Sequence, residues 1–369
     1  MGKIVTVCLD GTNNEVRGTS NTNVVRLYDM LDLADATKHV AYYAPGVGTF
    51  SSSAAWTPVE RTISRIEGLA FGFGLRQELG QAYQWLMNAY EDGDRIYVFG
   101  FSRGAYTARA LLGLIECVGL FRPGAENIVP YVVSAFVKGD NSNQQKTFKE
   151  YIRSFSRVID HDTHSTDVTV DFVGLWDTVE AAGNLRGPLK WPGTKELKRA
   201  KTIRHAMSID ERRRPFGLTR VHLNDGVAGQ NLKEVWFSGV HSDVGGTFDS
   251  GTRVSDIPLK WMIQEARAAG LDHIVQRTLT EYLTQVTADC ATGPIHTNSW
   301  IWKLLIDKRR RVEIGDNVHA SVRARIAALP DYKTGARIPD DVNFVDDDWL
   351  TSGDRASELR SDAGQAAGT

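Results

Sequence analysis

Short apolar runs rich in Val, Ile and Phe alternate with longer segments of helical period over roughly the first 250 residues, and no other feature constrains the fold as strongly. A run that is apolar at nearly every position, such as Ile4–Leu9 or Arg95–Phe101, has no polar face to offer water and must be covered on both sides. A mostly parallel sheet with helices on both faces does this. Strands are expected at 4–9, 38–43, 95–101, 168–176 and 235–240, and helices over 23–33, 75–90, 103–120 and 255–269, the last capped by Ser255 and closed by Gly270. The expected class is α/β, with one domain over 1–350. Within it, 124–166 reads as an inserted helical cap and 183–214 as a basic, loop-rich insertion, and the small polar stretch 351–369 reads as a disordered tail.

The bulk numbers exclude several roles. A formal charge of -2 over 369 residues leaves no global field to draw the chain onto nucleic acid. Cys8, Cys117 and Cys290 are too widely spaced for a zinc site or a disulfide framework, so neither metal nor cofactor is expected. The apolar run 4–9 is too short for a signal peptide or a membrane span. That points to a cytoplasmic chain, with export left to a secretion system that reads no N-terminal signal.

Gly100-Phe101-Ser102-Arg103-Gly104 is a G-x-S-x-G pentapeptide set between a buried strand and a helix of small-residue face. The chain must reverse there within two residues and hold Ser102 in a strained conformation, so side chains on either side must nearly vanish. Gly100 and Gly104 meet that need. Ser102 Oγ would then stand at the N-terminus of a helix, where the Arg103 amide can stabilise an oxyanion.

A serine hydroxyl needs a base and an orienting carboxylate, in chain order Ser, Asp, His for this fold. Trp176-Asp177 closes one expected strand and Val240-His241 another, so Asp177 and His241 are the expected partners, with Asp243 a rival orienter. His205 and His319 are weaker rivals as the base; His39, His161 and His164 read as solvent-exposed. The second oxyanion donor is expected from the turn after the first strand, at the Gly11 or Thr12 amide, with Asp10 and Asn13 supporting that turn. The same turn resembles the D-x-D-G-T motif of haloacid-dehalogenase phosphatases. Cys8 stands where their nucleophilic Asp would be, which disfavours a magnesium phosphatase.

Taken in order, Leu9-Asp10-Gly11-Thr12-Asn13, Gly46-Val47-Gly48-Thr49, Gly100 to Ala105, Trp176-Asp177-Thr178-Val179, Ser208-Ile209-Asp210-Glu211-Arg212, Trp236 to Gly246 and Val318 to Val322 resemble an α/β-hydrolase family. That family includes the catalytic domain of type VI secretion phospholipase effectors. The resemblance implies an α/β-hydrolase fold, a triad on Ser102, Asp177 and His241, and phospholipase or related esterase activity through an acyl-enzyme. The implied partners are a lipid or small ester, a transient membrane contact and, for an effector, an immunity protein.

Overall fold

The computed structural model describes residues 2–11, 20–46, 60–139, 150–158, 167–179, 190–213, 216–223, 229–247, 253–296 and 309–350, without the side chains of 60–73. Thr12, Asn13, His161, His164, residues 47–49, the tail 351–369 and parts of both expected insertions lie outside them. The strands are β1 (Ile4–Leu9), β2 (His39–Ala44), β3 (Arg95–Phe101), β4 (Val170–Trp176), β5 (Ala200–Ser208), β6 (Asn231–Phe237), β7 (Asn317–His319) and β8 (Asn343–Val345). They follow the order β2-β1-β3-β4-β5-β6-β7-β8 in an eight-stranded sheet. The pairings of β1 with β2 and β3, of β3 with β4, and of β7 with β6 and β8 are all parallel. The class is α/β, consistent with an α/β-hydrolase-like fold.

The chain clusters into two compact units, one of residues 1–16, 33–203 and 218–232, the other of 17–32, 204–217 and 233–369. In the first unit, α2 (Glu60–Ala89), α3 (Ser102–Val118) and α4 (Val129–Lys138) accompany β1 to β4. The strands alternate strictly: Val5, Val7, Leu9, Ile96 and Val98 join the core cluster shared with these helices. Tyr97 and Phe99 point to the other face, where their rings meet Phe172 at 6.2 and 5.5 Å. Both faces are buried, as the unbroken apolar runs require.

α4 falls in the segment expected to form the cap. Its apolar residues Val129, Val132, Val133, Phe136 and Val137 are buried in this unit's own core, packed toward α2 and α3. Pro130 sits in the first turn of the helix and Gly139, at φ 64°, ends it.

Residues 200–208, read from sequence as part of a loop-rich basic stretch, form β5. The strand buries Ile203, Ala206 and Met207. Its charges had masked the alternation. Of its polar side chains, Arg204 pairs with Glu265 at 2.6 Å and His205 meets Glu234 at 2.9 Å.

In the second unit, β6, β7 and β8 are accompanied by α1 (Asn23–Met30), α5 (His241–Gly245), α6 (Asp256–Ala268), α7 (Gln276–Gln285), α8 (Ala288–Thr292) and α9 (Ala320–Ala328). The Thr22 side chain caps α1 by accepting from the Val25 amide at 3.2 Å. Trp236 Nε1 donates to Asp316 at 3.0 Å, and the Phe237 ring lies between Trp261 and His319 at 5.4 and 4.7 Å. Among the described residues, no helix is long and apolar enough to cross a membrane.

Candidate active site

Strand register decides which side chains share an edge of the first unit. Leu9 pairs with Gly100 across β1 and β3, and Gly100 pairs with Leu175 across β3 and β4. Three parallel neighbours therefore end level with one another, and the residues that leave them are Asp10-Gly11, Ser102 and Asp177. All three emerge at the carboxyl edge, where open α/β sheets bind ligands.

Ser102 opens α3 directly after β3 with φ 59°, a left-handed conformation that a side-chain-bearing residue adopts only under constraint. The constraint is backbone contact. A Cβ on Gly104 would lie 2.2 Å from Leu9 O and 2.4 Å from Asp10 O, and one on Gly100 would lie 2.7 Å from Ala105 Cα. Only glycine lets α3 come this close to β1 and to its own strand. Asp177 is also left-handed, at φ 44°, and has no exposed surface.

Asp10 is buried and locks its own turn: Oδ1 accepts the Gly11 amide at 2.6 Å and Oδ2 accepts the Tyr43 hydroxyl at 2.9 Å. The Gly11 amide, one of the two candidates for the second oxyanion donor, is thereby engaged inside the turn. Next to it, burial and the Asp10 charge push the Cys8 thiol up.

In the second unit His241 is the first residue of α5 and is buried. Its amide donates to Glu211 Oε2 at 3.2 Å, and its ring lies 4.9 Å from that of Phe216. Glu211 Oε1 also accepts the Arg212 and Arg213 amides and Arg213 Nε, while Oε2 accepts Arg213 Nη2 at 2.7 Å. The Arg213 guanidinium in turn covers Phe216 at 3.8 Å. Glu211, Arg213 and Phe216 thus form a closed bracket around His241. Burial alone would raise the Glu211 carboxyl; the Arg213 pair, the amide bonds and His241 outweigh it and hold the group below its ordinary range.

Asp243 has a different partner. Its Oδ1 meets His296 Nδ1 at 2.8 Å, and its Oδ2 accepts the Val240 and His296 amides at 2.9 and 3.1 Å. The rival histidines are held structurally. His205 on β5 pairs with Glu234 on β6; His319 lies in β7, where its Nδ1 accepts from the Ser321 amide and caps α9. His39, expected at the surface, is buried and bonded to Thr6 at 2.8 Å, because β2 turns its first residue against β1.

Residues 3–265 match the family model of the T6SS phospholipase effector Tle1-like catalytic domain. The chain belongs to that family. It is also 36% identical over 226 residues to an uncharacterised protein of Saccharomyces cerevisiae, YEL023C, a stretch covering 58% of this chain and 32% of that protein. A solved, uncharacterised protein from Pseudomonas aeruginosa aligns at 19% identity and TM-score 0.43, covering 79% of this chain and 50% of the other. A structure of the Tle1 effector bound to the VgrG spike of the type VI secretion system aligns at 19% identity and TM-score 0.34, covering 67% and 52%. The chain thus spans about a third of the curated yeast relative's length.

Sequence reasoning assigned no role to Glu211, Phe216 or His296 of this Tle1-like chain. A signal existed for the first. Asp210-Glu211 follows β5 after a single residue, Ile209, much as Asp10 follows β1 and Asp177 follows β4. Asp210 is bound by the Gly239 and Gly335 amides and the Tyr332 hydroxyl, each at 2.7 Å, and burial still raises its carboxyl.

Proposed function

We propose that this chain is a serine hydrolase of carboxylic esters, of phospholipase or lipase type, working through an acyl-enzyme within one catalytic domain over residues 1–350. The observation that carries the reading is the strained Ser102 at the end of β3, level with Asp10 and Asp177 and opening α3. Membership of a family described as phospholipase effectors supports an ester of lipid type. In this reading Ser102 Oγ attacks the carbonyl carbon while His241 accepts its proton, and Asp177 orients the imidazole. The alkoxide is stabilised by the Arg103 amide and the α3 N-terminus. The second donor is the Thr12 amide, since Gly11 is held by Asp10. Collapse expels the alcohol with the proton from His241, and water, activated by the same base, releases the acid. A lipid substrate brings with it a transient contact with a membrane surface.

Vesicles of mixed phospholipids and short-chain nitrophenyl esters, each with wild type and Ser102→Ala, test this. Release of fatty acid from the vesicles by wild type alone is expected. Equal release by the variant would overturn the nucleophile assignment, and turnover of the nitrophenyl esters alone would replace lipid by a small soluble ester.

A further inference from the structure

Behind the Ser102 turn, in the same unit, lies a buried acid that the reaction as written does not use. Glu78 sits on α2, 5% exposed, with Oε2 3.2 Å from Thr107 Oγ1 on α3. That hydroxyl is also 3.2 Å from the carbonyl oxygen of Arg103, one turn earlier on α3. The other carboxyl oxygen, Glu78 Oε1, is buried and has no hydrogen-bond partner among the described residues. A threonine hydroxyl has one hydrogen and cannot donate to both neighbours. Both contacts are satisfied together only if Glu78 carries a proton. Glu78 Oε2–H then donates to Thr107 Oγ1, and Thr107 Oγ1–H donates to the Arg103 carbonyl.

We infer that Glu78 is a positioning residue: as a neutral acid it holds the first turn of α3 through Thr107, and its ionisation releases that hold. The inference rests on Ser102 being the nucleophile, because the carbonyl held in this way belongs to Arg103, the next residue, whose own amide, joined to that carbonyl through one Cα, faces the developing oxyanion. When Glu78 loses its proton to solvent, the single Thr107 hydrogen turns to the new carboxylate and the Arg103 carbonyl loses its hydroxyl partner. Burial also supports the neutral form, raising the Glu78 carboxyl to about 8. The charged and titratable groups acting on it are Asp10 after β1, Tyr42 and Tyr43 on β2, and Arg103 on α3; of these Asp10 favours the protonated form and Arg103 opposes it. α4, also packed on α2, carries only Tyr131 and Lys138, both exposed.

The test is the rate of labelling by a fluorophosphonate, followed from pH 6 to 10, for wild type, Glu78→Gln, Glu78→Leu and Thr107→Val. Wild-type labelling should fall about tenfold as Glu78 ionises. Glu78→Leu and Thr107→Val, which break the chain of donors, should label about tenfold more slowly than wild type at neutral pH and lack the Glu78-dependent loss. Glu78→Gln should rescue, since its amide nitrogen donates to Thr107 and does not ionise. An alkaline loss in Glu78→Gln identical to that of wild type would overturn the inference. So would wild-type labelling rates in both donor-breaking variants, and these remain to decide the matter should Glu78→Gln not fold. If Ser102 were not the nucleophile, Ser102→Ala would label as fast as wild type, a failure distinct from these.

Discussion

Glu78 in the first unit and Glu211 in the second are almost equally inaccessible, 5% and 1% exposed, yet their carboxyl groups are pushed in opposite directions. Burial acts alike on both. What differs is the supply of donors. Among the described residues Glu78 has one hydroxyl neighbour and one oxygen without a donor, so the neutral acid is favoured. Glu211 receives five N–H groups, two of them from a guanidinium, so the anion is favoured. The contrast extends to the turns they serve. The Ser102 turn is shaped by backbone contact that only glycine permits, and the His241 turn is shaped by carboxylates gripping amide hydrogens. A turn held by packing fails when volume is added; a turn held by charge fails when an acceptor is removed.

The largest expected effect separates a carboxylate of the first unit from one of the second. Asp177→Asn should lower kcat by roughly 10⁴-fold, the size of the corresponding loss in a serine protease triad, whereas Asp243→Asn should cost about tenfold because its carboxylate is engaged by His296 and the Val240 amide. The reverse ranking in steady-state assays would transfer the orienting role to Asp243. Next, Gly104→Ala should destabilise the fold by about 4 kcal/mol in urea unfolding, because its Cβ meets two carbonyl oxygens that cannot swing away. A loss under about 1 kcal/mol would mean that packing does not shape this turn.

Removing the acceptor from the other turn, Glu211→Ala should cost about 3 kcal/mol, since it strands a partly buried Arg213 and frees the His241 amide. Retention of wild-type stability would remove charge as the support. The smallest effect is on pH dependence. Folded Glu78 keeps its proton up to about 8, while the unfolded chain releases it near 4.5. Its contribution is therefore full below about 4.5 and is lost as pH rises to about 8. Glu211 has the opposite sign: its contribution is full above 4.5 and is lost as pH falls through its lowered folded value. Glu78→Gln should thus exceed wild type in stability at pH 8 by at least about 1 kcal/mol and converge with it near pH 4. Parallel stability curves for the two proteins would contradict the opposed signs.

What was legible in the sequence follows the same division. β1 and β3 could be bounded to the residue because each is apolar at nearly every position and ends at a sharp turn, and Gly100 and Gly104 announced the close approach of α3. Charge was harder to read. Lys201, Arg204 and His205 hid β5, although Arg204 and His205 have carboxylate partners far along the chain, at Glu265 and Glu234. Helical spacing located α4 but not its surroundings, since Val129, Val132 and Phe136 would show the same period over a substrate or in a core. The support of His241 was hidden for a related reason. Glu211, Arg213 and Phe216 precede it by about thirty residues, and no local pattern connects a guanidinium stacked on a ring to the histidine beyond it.

The central claim, that Ser102 is the nucleophile, is tested most directly by mass spectrometry of the protein after reaction with a fluorophosphonate. Digestion should yield one modified peptide, with the phosphonyl group on Ser102, and Ser102→Ala should gain no mass while unfolding at the wild-type denaturant concentration. An adduct on another residue, or full modification of Ser102→Ala, would contradict the account.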